Sequence, residues 1–376
     1  MKIIKRIFSI RNIYSSGEKI KIIELFGLKI KLYKINKNID NFTNCKKIYI
    51  ITPPHTEFIA KCIYNIFNTY KIKSKVMFNY EKYTKNTLYL IISPNYFDKL
   101  PKNYFAFNVE QSISNRWFTQ DYFAKLTCSY GILDYSLKNI DFLKKNNINK
   151  DYIFYPKLSP LPCINFNIEN KIQDILFYGD TSCKRRKEIL NKLKNKYNIK
   201  VVDNSFHNDI INELNKSKII LNIHYYEGAM LETTRICEAL SHGCMVISER
   251  GVNNEEYPEL EELVDFVNAD DIEAIEHRIQ YWMSNQDLLN EKIKKNNEII
   301  EKSFKSFNFF ISRFLLYYNI IDFELFYKNL HDFFDLKDKK VCIGMPESIE
   351  RAKYFKSINK YGFKVFPAIK FPIGWI

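Results

Sequence analysis

The chain has 376 residues, of which 46% are hydrophobic and 16% aromatic; it is too long for one ordinary core and too apolar for global disorder. Its formal charge is +14, but the excess is mostly lysine spread along the whole length, which favours a generic basic surface over a nucleic-acid footprint. Eight cysteines are scattered with no Cys-x-x-Cys pair and no histidine cluster, which argues against a structural zinc site and fits a reducing, cytoplasmic compartment.

The first ten residues are basic and apolar, but Arg6 and Arg11 interrupt them before the apolar core of a signal peptide can form. Lys21, Glu24, Lys29 and Lys31 break the next apolar stretch, 20–33, in the same way. Such a segment suits a short hairpin packed on the body, or peripheral contact with an anionic membrane. From Lys46 the pattern becomes regular. Near-continuous apolar runs predict strands at 47–52, 75–78, 88–92, 104–109, 129–133 and 152–155, alternating with helices at 57–70, 119–126 and 136–145. Pro156, Pro160 and Pro162 mark 156–170 as a linker. The rhythm then restarts, with strands at 174–178, 199–202, 217–223, 244–248 and 263–267 and helices at 183–196, 209–216, 232–241, 272–284 and 288–303. A helical stretch over 304–336 carries Phe304, Phe307, Phe309, Phe310, Phe314, Tyr317, Tyr318, Phe323 and Phe326, a stripe that reads as core packing. The expected architecture is α/β: two Rossmann-like domains facing a cleft, with C-terminal helices crossing back. Its parts are an N-terminal extension (1–40), a first domain (41–165), a second domain (166–335) and the start of a further one (336–376).

Residues 221–250 hold most of the chemistry. A buried strand ends at His224, a loop carries Tyr225, Tyr226, Glu227 and Gly228, and a helix opens near Glu232. Thr233 and Thr234 lie in its first turn, where free backbone N–H groups and the helix dipole favour a phosphate. Arg235 can add a bidentate contact to a diphosphate. Glu238 shares the face of Thr234 and Arg235, and its carboxylate can accept from both hydroxyls of a ribose. Upstream, the strand Ile175-Leu176-Phe177-Tyr178 runs into Gly179-Asp180, followed by Lys184, Arg185, Arg186 and Lys187. Basic residues in the first turn of a helix oppose its dipole, which points to a functional reason for their placement.

Together these blocks closely resemble the donor-binding half of GT-B glycosyltransferases of the glycosyl transferases group 1 type, as in bacterial capsule and lipopolysaccharide biosynthesis. Glu227-Gly228, Glu238-Ala239-Leu240, Gly243-Cys244 and Val246-Ile247-Ser248 occupy the family's places in order. The resemblance implies that Glu238 binds the ribose and that Gly179 lets backbone and ligand approach. It also implies that Lys184, Arg185, Arg186 and the turn from Thr233 to Arg235 serve the diphosphate, with Glu227-Gly228 near the sugar. Glu227 and Glu232 both stand open as the sugar-contacting carboxylate.

The first domain resembles the acceptor half of such enzymes more loosely. Glu110 and Gln111 end a buried strand, where burial can raise a carboxyl pKa toward that of a useful base, so Glu110 is the first candidate for catalysis or sugar positioning. His55, after the first strand, and Asp134, after the strand at 129–133, are the second and third. No Asp-x-Asp occurs in the chain, consistent with a metal-independent site in which helix dipole and cations carry the leaving-group charge. Residues 8–34 resemble the extension on many bacterial capsule and lipopolysaccharide transferases. Lys340 to Ala368, with Met345-Pro346-Glu347-Ser348 and Glu350-Arg351, resembles the opening of a lipopolysaccharide-type transferase domain, as if a longer chain were cut short.

The expected function is transfer of a sugar from a nucleotide diphosphate sugar, used as substrate with no cofactor, to a glycan or lipid-linked glycan of the cell surface. The expected location is the cytoplasm or the inner face of the membrane, with no nucleic-acid partner. A nucleotide-sugar epimerase on the same scaffold and a non-catalytic glycan- or nucleic-acid-binding module are the alternatives.

Overall fold

The structure is a computed structural model that describes residues 8–15, 18–25, 28–33, 42, 47–80, 87–114, 116–148, 153–163, 167–203, 205–303, 305–334, 341–344, 349–359 and 364–367. Residues 1–7, Phe304 and the Met345-Pro346-Glu347-Ser348 segment lie outside the described residues. The chain divides into two compact units, one of Met1–Pro53, Ile63–Pro156 and Ile311–Ile376, the other of Pro54–Cys62 and Lys157–Phe310. No helix among the described residues is long and apolar enough to cross a membrane.

The first unit opens with an antiparallel meander, β1 (Phe8–Ser15), β2 (Glu18–Leu25) and β3 (Leu28–Tyr33), in which Phe8 faces Leu25 and Leu25 faces Leu28. Its main sheet is six-stranded and parallel: β4 (Ile48–Ile51), β5 (Val76–Met77), β6 (Leu88–Ile92), β7 (Tyr104–Asn108), β8 (Ile132–Asp134) and β9 (Ile153–Phe154) lie in the order β5-β4-β6-β7-β8-β9. Every residue of β6 and β7 is buried, which is why both appear in the sequence as unbroken apolar runs. Helices α1 (Glu57–Thr69), α2 (Gln120–Thr127) and α3 (Leu137–Lys145) connect the strands. Thr119 caps α2 by accepting from the Tyr122 N–H at 3.2 Å.

The second unit repeats the plan with a five-stranded parallel sheet. Strands β10 (Gln173–Tyr178), β11 (Ile199–Val202), β12 (Ser217–Asn222), β13 (Met245–Glu249) and β14 (Val264–Val267) lie in the order β11-β10-β12-β13-β14. Helices α4 (Lys184–Lys194), α5 (Asn208–Lys216), α6 (Thr233–Ser241), α7 (Ile272–Ser284) and α8 (Gln286–Ser303) complete it. Ile175, Phe177, Ile219, Leu221, Met245 and Ile247 pack against Ile189, Leu193, Ile279 and Leu289 in one core cluster. Each such side chain, fully withdrawn from water, contributes roughly 1.5–3 kcal/mol of transfer free energy. The order of connection reverses between β10 and β12, and in open parallel sheets ligands bind at such a switch point, beyond the carboxyl ends of the strands.

Most of the described aromatic stripe is core: Phe307, Phe309, Phe310, Phe314, Tyr318 and Phe326 are buried, whereas Phe323 is 45% exposed. The stripe is carried by two helices, α9 (Lys305–Tyr317) and α10 (Phe323–Phe334), rather than one continuous helix. Asn319 takes a left-handed φ of 53° in the break, and Asp322 accepts from the Leu325 N–H at 2.7 Å to restart the helix. Within the first unit Phe314 meets Phe105 edge-on with ring centroids 4.8 Å apart and Phe154 at 5.2 Å. Tyr318 donates its hydroxyl to the Tyr130 carbonyl at 2.8 Å. At the C-terminal end, β15 (Val341–Gly344) and β16 (Lys364–Pro367) pair in parallel, with α11 (Ile349–Ile358) between them in the chain.

Candidate functional site

The carboxyl ends of β10 and β12 bring together Tyr178, Gly179, His224, Glu232, Arg235 and Glu238. Arg235 is the centre of the arrangement. Its Nη1 donates to Asn222 Oδ1 at 2.9 Å and to the Glu232 carboxylate, while its guanidinium lies 5.5 Å from the centroid of the Tyr178 ring. Gly179 has φ +133°, and a Cβ built there would lie 2.6 Å from Arg235 Nη2. The glycine at the end of β10 is therefore required by its own backbone conformation, and a side chain there would push the Arg235 guanidinium aside. Gly179→Ala is expected to cost about 1–3 kcal/mol through the strained backbone and to displace Arg235; thermal melting with and without nucleotide checks both effects.

Glu232, the residue before α6, makes no side-chain cap and serves guanidinium groups instead. Arg186 Nη2 donates to its two oxygens at 2.7 and 3.1 Å. Burial alone would raise the Glu232 pKa, but Arg235 and then Arg186 outweigh it and hold the group down at about 2. Arg186 is 2% exposed and also donates to the carbonyls of Ile223 at 2.8 Å and Asp180 at 2.9 Å. Arg185 donates Nη1 to the His224 carbonyl at 2.7 Å, forms a bidentate pair with Glu249, and sends Nε to Asp270 at 2.7 Å. The two arginines that oppose the α4 dipole are thus compensated by carboxylates and carbonyls within the unit, and both aim their donors inward. Lys184, with its side chain 89% exposed, only approaches Glu188 at 3.7 Å and stands apart from the cluster.

Glu238 points back across α6 to β10, where the Tyr178 hydroxyl donates to its Oε2 at 3.1 Å and to the Arg235 carbonyl at 3.2 Å. Burial raises the Glu238 pKa to about 7, against the opposing effects of Tyr178 and Arg235. A carboxyl group near neutrality at the open end of a sheet is a polar group placed at some cost for a ligand to complete. His224 adds a second sign of the same kind. It is 1% exposed and, among the described residues, neither ring nitrogen has a hydrogen-bond partner, as is also true of the buried Thr233 hydroxyl; native buried polar groups are rarely left so. Burial holds His224 below its ordinary range despite Glu232 and Glu249 nearby. Thr234 is half-buried in the first turn of α6, while Glu227 and Gly228 are exposed in the preceding loop. Gly228 has φ +63° and no atom within 4 Å of where a Cβ would stand. The local geometry suits a bound anion at the α6 N-terminus with a hydroxyl-bearing group over Glu238.

Sequence reasoning passed over Tyr178, Asn222 and Glu249. Glu249 shows a usable signal, an acid closing the fully buried strand β13.

Residues 173–306 match the family described as glycosyl transferase-like. The matched residues fall within the second unit. No curated protein matches the chain. Among solved structures it is similar to an alpha-glucosyltransferase in complex with UDP and a DNA containing a HMU base, at 10% identity and TM-score 0.47, over 68% of this chain and 94% of that one. It is also similar to WaaG, a glycosyltransferase involved in lipopolysaccharide biosynthesis (9% identity, TM-score 0.46, 68% and 95% covered). A third is a glycosyltransferase from Rickettsia africae ESF-5 (14% identity, TM-score 0.41, 76% and 98% covered).

The other sequence candidates lie elsewhere. Glu110 is half-buried at the carboxyl end of β7, and burial raises its pKa against the hydrogen bond from Asn95 and the charge of Arg116. Asp134 is fully buried and its carboxylate anchors the neighbouring loop: it accepts from Asn108 Nδ2 at 2.6 Å, Asn139 Nδ2 at 3.1 Å and the Ser136 N–H at 3.0 Å. His55 is exposed on a single 3-10 turn, Pro54–Thr56. Among the described residues, no group of three or more His, Cys, Asp or Glu is placed to hold a metal ion.

Proposed function

We propose that the protein transfers a sugar from a nucleoside diphosphate sugar to a glycan or lipid-linked glycan acceptor of a surface polysaccharide, without a metal ion, in the cytoplasm or at the inner face of the membrane. The observation that carries this reading is the pair Arg235 and Glu238, set three residues apart on α6 of the glycosyl transferase-like domain, with Gly179 cut back to admit the guanidinium. In this reading the α6 N–H groups, Thr233, Thr234 and Arg235 take the diphosphate and stabilise the charge that grows on it as the glycosidic bond breaks. Glu238 accepts from the ribose hydroxyls, and Glu227, exposed beside Gly228, is left to meet the sugar because Glu232 is already bound to two arginines. His224 offers a ring nitrogen to the donor from beneath. In the first unit Glu110 takes the proton of the acceptor hydroxyl.

The test is a thermal-shift screen of the purified protein against UDP, GDP, CMP and TDP and their common sugars. Stabilisation by one nucleotide, with slow hydrolysis of its sugar when no acceptor is present, is the expected result. Absence of any shift or hydrolysis across the panel would remove the proposal.

A further inference from the structure

The carboxyl ends of β6 and β7 in the first unit hold a second cluster. Ser93 follows β6 fully buried at φ 50°, ψ 64°, a left-handed conformation that serine adopts rarely and that concentrates at functional positions. Its N–H continues the ladder to the Phe107 carbonyl at 2.9 Å, yet among the described residues its hydroxyl has no hydrogen-bond partner. Asn95 donates Nδ2 to Glu110 Oε1 at 3.0 Å, while its own buried Oδ1 has no partner among the described residues. The Glu110 backbone is fixed from both sides: its N–H donates to Asn108 Oδ1 at 3.1 Å and its carbonyl accepts from Asn139 Nδ2 at 2.7 Å. Asn108 and Asn139 are in turn tied to the buried Asp134. This buried polar structure, tied through Asn108, Asn139 and Asp134 and left unsatisfied at Ser93 and Asn95, positions one carboxyl group with precision.

Beside that carboxyl lies an aromatic surface. Tyr96, adjacent to Asn95, is 47% exposed and stacks on Trp117 with centroids 5.6 Å apart and planes 29° apart. The Arg116 guanidinium sits 4.7 Å from the Trp117 centroid, so the indole is held by packing from more than one group. An exposed, rigidly backed phenol offers a flat apolar face at little conformational cost.

We infer that this edge of the first unit is a saccharide-binding subsite, in which a pyranose lays its C–H face on Tyr96 and presents hydroxyls to the Glu110 carboxyl and Asn95. The unsatisfied Asn95 Oδ1 is an acceptor and the Ser93 hydroxyl can both accept and donate, a mixed demand that sugar hydroxyls meet and that phosphate oxygens, which only accept, do not. A nucleic acid would also place its phosphates against the Glu110 carboxyl. This inference rests on the glycosyltransferase reading and gives its acceptor a chemistry: a neutral, pyranose-rich glycan engaged through stacking.

The experiment measures binding of maltotriose, cellotriose and chitotriose, and of a twelve-residue oligothymidylate, by calorimetry to wild type, Tyr96→Ala and Glu110→Gln, with UDP titrated into wild type in parallel. One trisaccharide is expected to bind wild type, and each substitution to weaken it about ten-fold with an unchanged melting temperature. Failure of all three trisaccharides, or equal binding by the variants, would overturn the inference, as would oligothymidylate binding that Tyr96→Ala abolishes. UDP binding without trisaccharide binding would leave the donor reading standing alone; the reverse would remove the donor reading and keep the subsite.

Discussion

Replacing Glu232 with alanine is expected to lower the unfolding free energy by about 3–5 kcal/mol, the usual effect of removing one partner from a buried ion pair. Arg186 is 2% exposed and shares the Glu232 carboxylate with Arg235, which also approaches it closely. Without Glu232, the guanidinium groups of Arg186 on α4 and Arg235 on α6 would be left, among the described residues, with carbonyls and the Asn222 amide as hydrogen-bond partners. The pH dependence carries the same information. Since the pKa of Glu232 is held at about 2, its contribution to stability is present above the ordinary carboxyl range and is lost as pH falls through that range toward 2. Urea denaturation of wild type, Glu232→Ala and Glu232→Gln at pH 7 measures the effect, the glutamine being milder because it keeps an acceptor. Adding Arg186→Met to Glu232→Ala should recover part of the loss, because the unpaired charge then leaves with its partner. A loss under about 1 kcal/mol for Glu232→Ala would show that the carboxylate is not a structural counter-ion. It would then return Glu232 to the place of the sugar-contacting acid, now given to Glu227.

This cluster also marks the boundary of what the sequence can be made to say. The strand Leu88–Ile92 and the helix Ile272–Ser284 are read at their observed bounds, because burial on both faces of a strand or on one helical face leaves a local pattern. The donor-side elements are legible for the same reason, as a glycine, a helix start and a carboxylate in fixed order. What stays hidden is pairing across long separations. The basic first turn of α4 looks like a phosphate site from spacing alone, since a local view sees an uncompensated clash with the helix dipole. The compensation comes from Glu232 and Glu249, more than forty residues away in sequence. Likewise the carboxylate of Asp134, the third catalytic candidate, accepts from Asn108 and Asn139, polar residues that no spacing rule links to it. Polar side chains at buried strand ends, Glu249, Asn108 and Asn222 among them, were the available clue, because such a group must find a partner and its partner is usually another residue of interest.

Replacing Glu238 with alanine is expected to abolish nucleotide-induced stabilisation while leaving the fold intact. At a nucleotide concentration near one hundred times Kd, wild type gains about 2.7 kcal/mol, or roughly 5–10 °C in Tm for a unit of this size, and the variant should show almost none of it. Glu238 also fixes how that gain depends on pH. Its pKa is raised to about 7 by burial, so in the free protein its contribution to stability is present at acid pH and lost as pH rises through 7. A ribose whose two hydroxyls donate to the carboxyl favours the ionised form and lowers that pKa on binding. Nucleotide binding then releases a proton below pH 7, and affinity rises with pH, by up to about ten-fold per unit, until it levels off above 7. The two trends run in opposite directions in one protein: the free form weakens over the same interval in which the complex tightens. Titrations of the stabilising nucleotide from pH 5.5 to 8.5 into wild type and Glu238→Gln separate this from general acid effects, because the glutamine keeps an acceptor but cannot titrate and should give a flat profile. A wild-type affinity that is equally flat, or a full thermal shift retained in Glu238→Ala, would place the ribose elsewhere and leave the unsatisfied His224 and Thr233 as the remaining signs of where a ligand binds.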